Sequence, residues 1–240
     1  MNLIIDIGNT NIKVAVYDGL KQRAVFREMD FNYQRLKNRL DSYHIDKAII
    51  SSVKQITEEV YDQLSSEISF VHILNHKSAL PFTIDYETPE TLGTDRIAAV
   101  AGAFNKFPRT EVLIIDAGTA ITYEFLSGEI YKGGNISPGL MIRFRALNKF
   151  TGRLPLVSPS YNYTMPGKNT SDAIVAGVIT GLIYEINEYI RTFKNLHAEY
   201  KIILTGGDSE FLKNQIDNEV MYMPDIVIDG LNNILNYNAK

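Results

Sequence analysis

The sequence predicts an α/β protein built from two similar halves, each a mixed β-sheet flanked by helices. A short repeat carries this prediction: residues 3–8 read Leu-Ile-Ile-Asp-Ile-Gly and residues 113–118 read Leu-Ile-Ile-Asp-Ala-Gly. A threonine, a second apolar stretch and a turn follow each copy, as in a β-hairpin. Helix-like and strand-like segments then alternate, which is typical of helices packed on a sheet. We therefore predict two domains, residues 1–108 and 109–240, with a boundary at Pro108.

The individual elements follow from local hydrophobic patterns and turn residues. In the first half we predict strands at residues 3–8, 12–17, 23–27, 47–52 and 70–74, and helices at residues 33–43 and 57–66. The second half continues with three strands, a long helix and a further strand, at residues 113–118, 121–126, 129–131, 171–193 and 201–204. A turn-rich segment, residues 81–96, precedes an alanine-rich helix, and a helical segment follows Pro224.

Composition excludes several classes of protein. The 240 residues are 45% hydrophobic and 22% charged, which is ordinary for a soluble globular protein. No run of eighteen apolar residues occurs and the N-terminus lacks a basic region, so we expect neither a membrane span nor a signal peptide. Cysteine is absent, which excludes disulfides and thiolate chemistry and fits a cytoplasmic protein. The net charge of -4 argues against a dedicated nucleic-acid binder.

The first repeat ends in a loop suited to phosphate. Gly8 lets the backbone turn tightly, and the amides that follow, with Asn9 and Thr10, can donate hydrogen bonds to an anion. Asp6 can hold a hydrated Mg²⁺ ion, which prefers carboxylates together with phosphate oxygens and water. The alternative is a hairpin turn that happens to use Asp, Gly and Asn.

The second repeat favours phosphate binding over that alternative. Asp116, Gly118 and Thr119 follow the same strand sequence, and two such loops can clamp the phosphates of one nucleotide. Lys13 either adds positive charge near the phosphates or is an exposed strand lysine. Gly206-Gly207 either allows close contact with a flat ligand such as adenine or serves a strand-to-helix turn.

Residues 93–96, Gly-Thr-Asp-Arg, precede the alanine-rich helix. Thr94 or Asp95 could cap that helix. Alternatively, Asp95 acts as a base on a substrate hydroxyl while Arg96 binds a carboxylate with its forked donors. The residues alone leave both interpretations open.

The order of these motifs resembles the acetate and sugar kinase, heat-shock chaperone and actin superfamily. That resemblance implies two duplicated ribonuclease-H-like halves, an actin-like ATPase fold, with ATP bound between them. A P-loop NTPase is a poor match, because the sequence holds no Gly-x-x-x-x-Gly-Lys-Ser/Thr, and no Gly-x-Gly-x-x-Gly dinucleotide motif occurs either.

The closer resemblance is to type III pantothenate kinase. It rests on residues 6–10, 93–96 and 116–119 and on Gly-Gly-Asn-Ile-Ser-Pro-Gly at 133–139, and it runs over essentially the whole chain. It implies phosphorylation of pantothenate by ATP, in the first step of coenzyme A biosynthesis, with Asp95 as the general base. ATP would contact Asp6, Gly8, Asn9, Thr10, Lys13, Gly118, Thr119, Gly206 and Gly207. Pantothenate would contact Tyr86, Gly93, Thr94, Asp95, Arg96 and Thr170.

The resemblance also implies ligands and a partner that the residues alone do not establish. A monovalent cation, K⁺ or NH₄⁺, would bind at Asp116, beside Mg²⁺-ATP. Thr170 would reach substrate across a homodimer, and the small and apolar residues of helix 171–193 suit a dimer contact. Thr170 or Ser171 could instead cap that helix, the helix could be a buried core element, and Tyr86 could be a packing residue.

Two other functions fit parts of the pattern. A non-enzymatic ATP-binding regulator of the same fold would use the phosphate loops but gives Asp95 and Arg96 no task. A ribonuclease-H-like nuclease would need several carboxylates around two metal ions, whereas glycine-threonine loops suit a nucleotide better. Fold alone does not separate these functions.

Overall fold

The computed structural model describes residues 1–53, 58–217 and 219–239. The chain divides into two compact units. The first unit comprises Met1–Arg109, Leu126–Gly133 and Asp225–Lys240, and the second comprises Thr110–Phe125 and Gly134–Pro224. The domain division at Pro108 remains a prediction.

The described part of the chain contains eleven strands and seven α-helices. The strands are β1 (Asn2–Ile7), β2 (Ile12–Asp18), β3 (Lys21–Glu28), β4 (Lys47–Ser52), β5 (Phe70–Ile73), β6 (Thr83–Ile84), β7 (Glu111–Ala117), β8 (Ala120–Ser127), β9 (Ile130–Pro138), β10 (Tyr200–Thr205) and β11 (Met221–Tyr222). The helices are α1 (Tyr33–Leu40), α2 (Glu58–Ser65), α3 (Thr94–Lys106), α4 (Leu140–Phe150), α5 (Thr170–Leu196), α6 (Ser209–Leu212) and α7 (Ile226–Asn238).

The first sheet has the strand order β3-β2-β1-β4-β5. Strands β1 and β2 pair antiparallel, and β1 and β4 pair parallel, so that Asp6 lies opposite Lys13 on one side and Ser51 on the other. The central strands are almost wholly buried, whereas the edge strand β3 alternates between exposed and half-buried positions. This register places the polar end of β1 beside two further polar side chains.

The second sheet repeats that order as β9-β8-β7-β10-β11, with the short strand β6 added beside β9. Strand β10 pairs parallel with both β7 and β11, as β4 does with β1 and β5. The duplicated sheets flanked by helices confirm the predicted fold class.

Most predicted elements are present, with ends shifted by a few residues. Helix α4 is an addition, as are the short strands β6 and β11, and β9 runs to Pro138 rather than ending at Tyr131. Helix α4 begins after Gly139, which offers no side-chain cap, so it lacks the usual start signal. The predicted start of α2 at Thr57 lies outside the described residues.

Helix α5 lies along the core of the second unit. Ten of its residues are buried, among them Ile179, Leu182, Ile186 and Ile190. Among the described residues it is the one helix long and apolar enough to cross a membrane, and 44% of its most apolar window is buried. Core helices pass the same length and composition test, and the expectation of no membrane span remains a prediction.

Helices α3 and α7 meet backbone to backbone in the first unit. A Cβ on Gly230 would overlap the carbonyl oxygen of Ala98, and a Cβ on Gly102 would overlap that of Ile226. Helix α7 also packs on β1 and β4. Its Asp229 accepts a 2.6 Å hydrogen bond from the hydroxyl of Tyr17. The last helix of the chain therefore completes the core that the first strands begin.

Candidate active site

The loop between β1 and β2 turns within four residues. The amide of Gly8 donates to the carbonyl oxygen of Asn11 at 3.0 Å, and a Cβ on Gly8 would lie 3.1 Å from that oxygen. Glycine is therefore the residue that fits this tight approach. Asn9 and Thr10 at the tip are exposed, as a loop that binds a ligand from solution requires.

Asp6 lies near the end of β1, before this loop, where the net effect of its surroundings is to oppose ionisation of its carboxyl. Burial, and then the negative charge of Asp95, raise the pKa of Asp6 to about 6, while a hydrogen bond from Ser51 and the charge of Lys13 act in the opposite direction. Ser51 is 1% exposed, and its Oγ lies 3.1 Å from the Oγ1 of Thr94. A polar chain therefore joins Asp6 to the start of helix α3.

Helix α3 begins at Thr94, with Gly93 as its N-cap and no side-chain capping bond. The interpretation of Thr94 or Asp95 as the cap is therefore wrong, because both lie inside the first turn. The Oδ1 of Asp95 accepts a 2.9 Å hydrogen bond from the amide of Arg96. A carboxylate in the first turn of a helix interacts favourably with the helix dipole.

Arg96 and Tyr86, both predicted to contact substrate, lie together. Arg96 is 6% exposed, and its guanidinium carbon lies 5.8 Å from the centroid of the Tyr86 ring. The ring packs on Gly133, where a Cβ would lie 3.0 Å from it and where φ is +83°. Tyr86 is thus a packing residue as well as a neighbour of the predicted substrate residues, so packing and substrate contact do not exclude each other.

Lys13 points along the sheet to the start of helix α7. Its Nζ lies 3.4 Å from the Oδ1 of Asp225, and its side chain is 18% exposed. Lys13 is therefore not a freely exposed strand lysine. Its charge also favours the ionised form of Asp6.

The second loop, in the second unit, adjoins the Gly-Gly turn. Asp116 lies opposite Thr205 in the register of β7 and β10. Gly206 has φ of +96°, and a Cβ there would overlap the Oδ1 of Asp116 and the carbonyl oxygen of Ala117. The structure therefore brings together two motifs that are ninety residues apart in sequence, and the threonine that follows, Thr119, is exposed.

A cavity that sequence reasoning missed opens beside Gly207. It has a volume of about 380 Å³ and is lined by Tyr161, Gly207, Asp208, Glu210, Phe211, Asn214 and Gln215. The rings of Tyr161 and Phe211 stack with their centroids 4.2 Å apart. Tyr161 lies in a long loop without periodicity, so no signal in the sequence placed it here.

Helix α5 is capped by Asn169, not by Thr170 or Ser171. The Oδ1 of Asn169 accepts a 2.9 Å hydrogen bond from the amide of Asp172. The interpretation of Thr170 or Ser171 as the cap is therefore wrong. Thr170 is the first helical residue and is exposed.

The carboxylates of the first unit fit a divalent cation. In residues 1–53, 58–217 and 219–239 no cluster of three or more His, Cys, Asp or Glu side chains could hold a metal ion by itself. Mg²⁺, however, needs one or two carboxylates and takes its remaining ligands from phosphate and water. The negative charges of Asp95 and Asp6 repel each other, and a bound divalent cation would reduce that repulsion.

The sequence comparisons give one family over the whole chain. The profile of the type III pantothenate kinase family matches residues 2–192. A type III pantothenate kinase from Bacteroides fragilis strain YCH46 is 45% identical over 99% of this chain and 98% of its own length. One from Cytophaga hutchinsonii is 38% identical over the full length of both.

Solved structures share the fold. A Campylobacter jejuni chain, described as a candidate Baf family transcriptional activator, is 25% identical with a TM-score of 0.63, over 99% of this chain and 98% of that one. A ROK family glucokinase from Streptomyces griseus, in complex with glucose and AMPPNP, is 11% identical with a TM-score of 0.55, over 99% of each chain. The latter likeness shows the fold alone.

Duplicated sheets of this order, each with a first strand that leads into an Asp-x-Gly loop, define the actin-like ATPase fold. With the family match over residues 2–192, the chain belongs to the type III pantothenate kinase family. It is an enzyme that phosphorylates pantothenate with ATP in the biosynthesis of coenzyme A.

Proposed function

We propose that this kinase transfers the γ-phosphoryl group of ATP to the primary hydroxyl of pantothenate with Asp95 as the general base. The observation that carries the proposal is the position of Asp95 in the first turn of α3, within electrostatic reach of Asp6. A base must accept the hydroxyl proton as the new P–O bond forms. Phosphoryl transfer otherwise demands positioning and charge neutralisation more than covalent chemistry from the protein.

Arg96 and Tyr86 are proposed to bind pantothenate. The buried guanidinium beside an aromatic ring is suited to the carboxylate of pantothenate, because Arg presents a planar fork of donors. That carboxylate is remote from the hydroxyl that reacts. Binding energy there would orient the hydroxyl toward Asp95, with Gly93 and Thr94 forming the wall of the substrate site. Thr170, exposed at the start of α5, is proposed as the contact supplied from a second copy of the chain.

ATP is proposed to bind the two glycine loops. The amides near Gly8, with Asn9, Thr10 and Lys13, would contact its phosphates, and Gly118 and Thr119 would do so from the second unit. The turn at Gly206 and Gly207 would contact the adenosine, and the neighbouring cavity has the volume for a base. Stacked aromatic rings and amide side chains at that cavity suit a flat heterocycle with polar edges.

Two cations complete the proposal. Asp6 would hold Mg²⁺, which neutralises the charge of the phosphates when it is bound. Ser51 would keep the Asp6 carboxylate oriented. Asp116, at the base of the second loop, would hold K⁺ or NH₄⁺.

We further propose a cytoplasmic homodimer that acts on small molecules, without nucleic acid or membrane. The support for a dimer is the outer face of α5, where Ala173, Gly177, Gly181 and Tyr184 are exposed. Small residues on an exposed helix face allow a second helix to approach closely. The alternative of a core helix holds for the opposite face of α5, where ten residues are buried.

The direct test is release of ADP from ATP by the purified full chain, measured with and without pantothenate. We expect pantothenate to stimulate ADP release, with one phosphorylated product formed for each ADP. ATP hydrolysis that is unaffected by pantothenate, with no phosphorylated product, would contradict the proposed reaction.

A further inference from the structure

An ion pair in the second unit joins helix α4 to helix α5 and has no task in the reaction described above. The Nη2 of Arg143 lies 2.6 Å from the Oε2 of Glu185, and their side chains are 20% and 25% exposed. The other carboxylate oxygen, Oε1, accepts a 2.8 Å hydrogen bond from the hydroxyl of Tyr123 on β8. Since both oxygens of Glu185 are engaged, its carboxylate is fixed in position.

The environment keeps this carboxylate ionised. Burial alone would raise the pKa of Glu185, but hydrogen bonds from Arg143, Ser137 and Tyr123 outweigh that effect and lower the pKa below its ordinary value. The guanidinium therefore faces a full negative charge at neutral pH. Such charge-assisted hydrogen bonds are about twice as strong as neutral ones.

Arg143 also binds the turn that precedes its own helix. Its Nε donates to the carbonyl oxygen of Pro138 at 2.8 Å, and its Nη2 donates to the Oγ of Ser137 at 2.9 Å. One planar guanidinium thus connects residues 137–139, which we call the β9–α4 turn, to Glu185. Because the fork is rigid, moving Glu185 moves the atoms that hold the turn.

The β9–α4 turn packs directly on the second glycine loop, at Gly118 and Thr119. The amide of Gly139 donates to the carbonyl oxygen of Thr119 at 3.2 Å. A Cβ on Gly139 would overlap the carbonyl oxygens of both Gly118 and Thr119. No side chain separates turn and loop at this point, so a shift of the turn is transmitted to the backbone of the loop.

We propose that Arg143 and Glu185 are positioning residues for ATP, which hold the β9–α4 turn and through it the backbone of Gly118 and Thr119. The inference rests on the proposed role of Gly118 and Thr119 in binding ATP. A loop that binds phosphate through backbone amides must keep those amides aimed at one point, and a misplacement of about 1 Å is enough to lose much of their effect. The ion pair supplies that rigidity from outside the loop.

A second ion pair on the same helix provides a matched control. The Nη2 of Arg191 lies 2.6 Å from the Oε2 of Glu188, three residues earlier on α5, and the two side chains are 69% and 56% exposed. They share the chemistry of the Arg143–Glu185 pair, but they join two residues of a single helix. A substitution there changes charge on α5 without changing the contacts of the β9–α4 turn.

The test compares Glu185→Gln with Glu188→Gln in the full-length enzyme. Glutamine keeps the size of the side chain and an acceptor for Tyr123, but it removes the charge that Arg143 faces. We expect Glu185→Gln to raise the KM for ATP by about tenfold, the scale of one charge-assisted hydrogen bond, and to leave the KM for pantothenate within about twofold. Glu188→Gln should leave both values unchanged.

A double-substitution cycle tests whether the two residues act as one unit. If they do, Arg143→Gln combined with Glu185→Gln should raise the KM for ATP no more than the worse single substitution. Should Glu185→Gln fail to fold, Arg143→Lys gives the same test, because it keeps a charge opposite Glu185 but loses the bond from Nε to Pro138. Melting curves of all variants are measured alongside.

Three results would overturn the inference. One is an unchanged KM for ATP in both Glu185→Gln and Arg143→Lys. Another is an equal rise in KM for ATP and pantothenate, accompanied by a lower melting temperature, which is what a merely structural pair would give. Gly118→Ala separates the inference from its premise, because a Cβ there has only ordinary 3.6 Å contacts within the fold but would stand in the way of a phosphate bound to the loop amides. If that variant weakens ATP binding while Glu185→Gln does not, the positioning role fails alone. If neither weakens it, the role of the loop itself is refuted.

Discussion

Asp6 and Asp95 lie close enough together that, after burial, the negative charge of Asp95 is the largest factor raising the pKa of the Asp6 carboxyl. Asp6 is the second-last residue of strand β1, and Asp95 lies in the first turn of α3. Two carboxylates in such different settings can serve different purposes. This difference supports the proposal that Asp6 holds the cation and Asp95 accepts the proton.

The substitution Asp95→Asn tests the base. Asparagine keeps the size of the side chain and an oxygen for the amide of Arg96. It removes the proton acceptor, so we expect kcat to fall by about a hundredfold or more, with the melting temperature and ATP binding near those of the wild type. Steady-state kinetics measure the effect, with the exposed Glu90→Gln as control. Near-wild-type turnover in a folded Asp95→Asn protein would mean that another group is the base.

The raised pKa of Asp6 gives a stability that depends on pH. Its folded pKa of about 6 exceeds the ordinary 3.8, so the folded state holds the proton more tightly than the unfolded chain does. This group therefore stabilises the metal-free protein at low pH, and that contribution is lost as the pH rises through about 6. We expect the melting temperature of Asp6→Asn to rise relative to wild type as the pH goes from about 4 to about 7. A difference between the two proteins that is the same at every pH would contradict the assignment.

Gly206→Ala and Gly207→Ala separate the demands of folding from those of ligand binding. A Cβ on Gly206 would overlap Asp116 and Ala117 at a φ of +96°, so Gly206→Ala should lose about 1–3 kcal/mol of unfolding free energy. Nothing lies within 4 Å of a Cβ on Gly207, and Gly207→Ala should melt like the wild type. If Gly207 approaches the nucleotide, its alanine variant should nevertheless show a higher KM for ATP. Equal melting temperatures for the two variants would refute the structural distinction.

The predicted monovalent cation at Asp116 can be removed without altering the protein. We expect activity to fall strongly when K⁺ and NH₄⁺ are replaced by a bulky organic cation at constant ionic strength. Adding back K⁺ should restore it in wild type but not in Asp116→Asn. Full activity in the depleted buffer would exclude a functional monovalent cation.

The proposed dimer can be tested on the exposed face of α5. Gly181 has open space around it, so Gly181→Arg should leave the fold of one copy intact while blocking the approach of another. Sedimentation equilibrium should give about twice the 27.1 kDa chain mass for wild type and about that mass for Gly181→Arg. Asp62→Arg, on the exposed side of α2, is the control. A wild type that remains monomeric at micromolar concentration would end the dimer proposal.

The fold was predictable because the same strand sequence, Leu-Ile-Ile-Asp, precedes the glycine loop in each half. Local pattern also located Asp95 and Arg96, but it did not decide whether Thr94 or Asp95 caps the helix, since Gly93 can also occupy the N-cap position. At α5 the cap is Asn169, directly before the predicted candidates Thr170 and Ser171, because three adjacent polar residues all suit that position.

Contacts between residues far apart in the chain could not be predicted from the sequence. Ser51 is an ordinary strand residue by pattern, and its contact with Asp6 follows only from the register of β1 and β4. Likewise, the packing of Gly206 on Asp116 depends on β10 lying beside β7, a pairing across some ninety residues. Sheet order fixes these neighbours, and sheet order is a property of the whole chain.

The position of helix α7 has a consequence for how the protein is made. Strands β1 and β4 and helix α3 emerge early from the ribosome, yet the helix that covers them is synthesised last. At cellular rates of translation the delay is on the order of ten seconds, during which the apolar surface beneath α7 is exposed. On a nascent chain, the surfaces of β1, β4 and α3 that α7 covers in the folded protein are therefore uncovered until residues 226–238 have been synthesised.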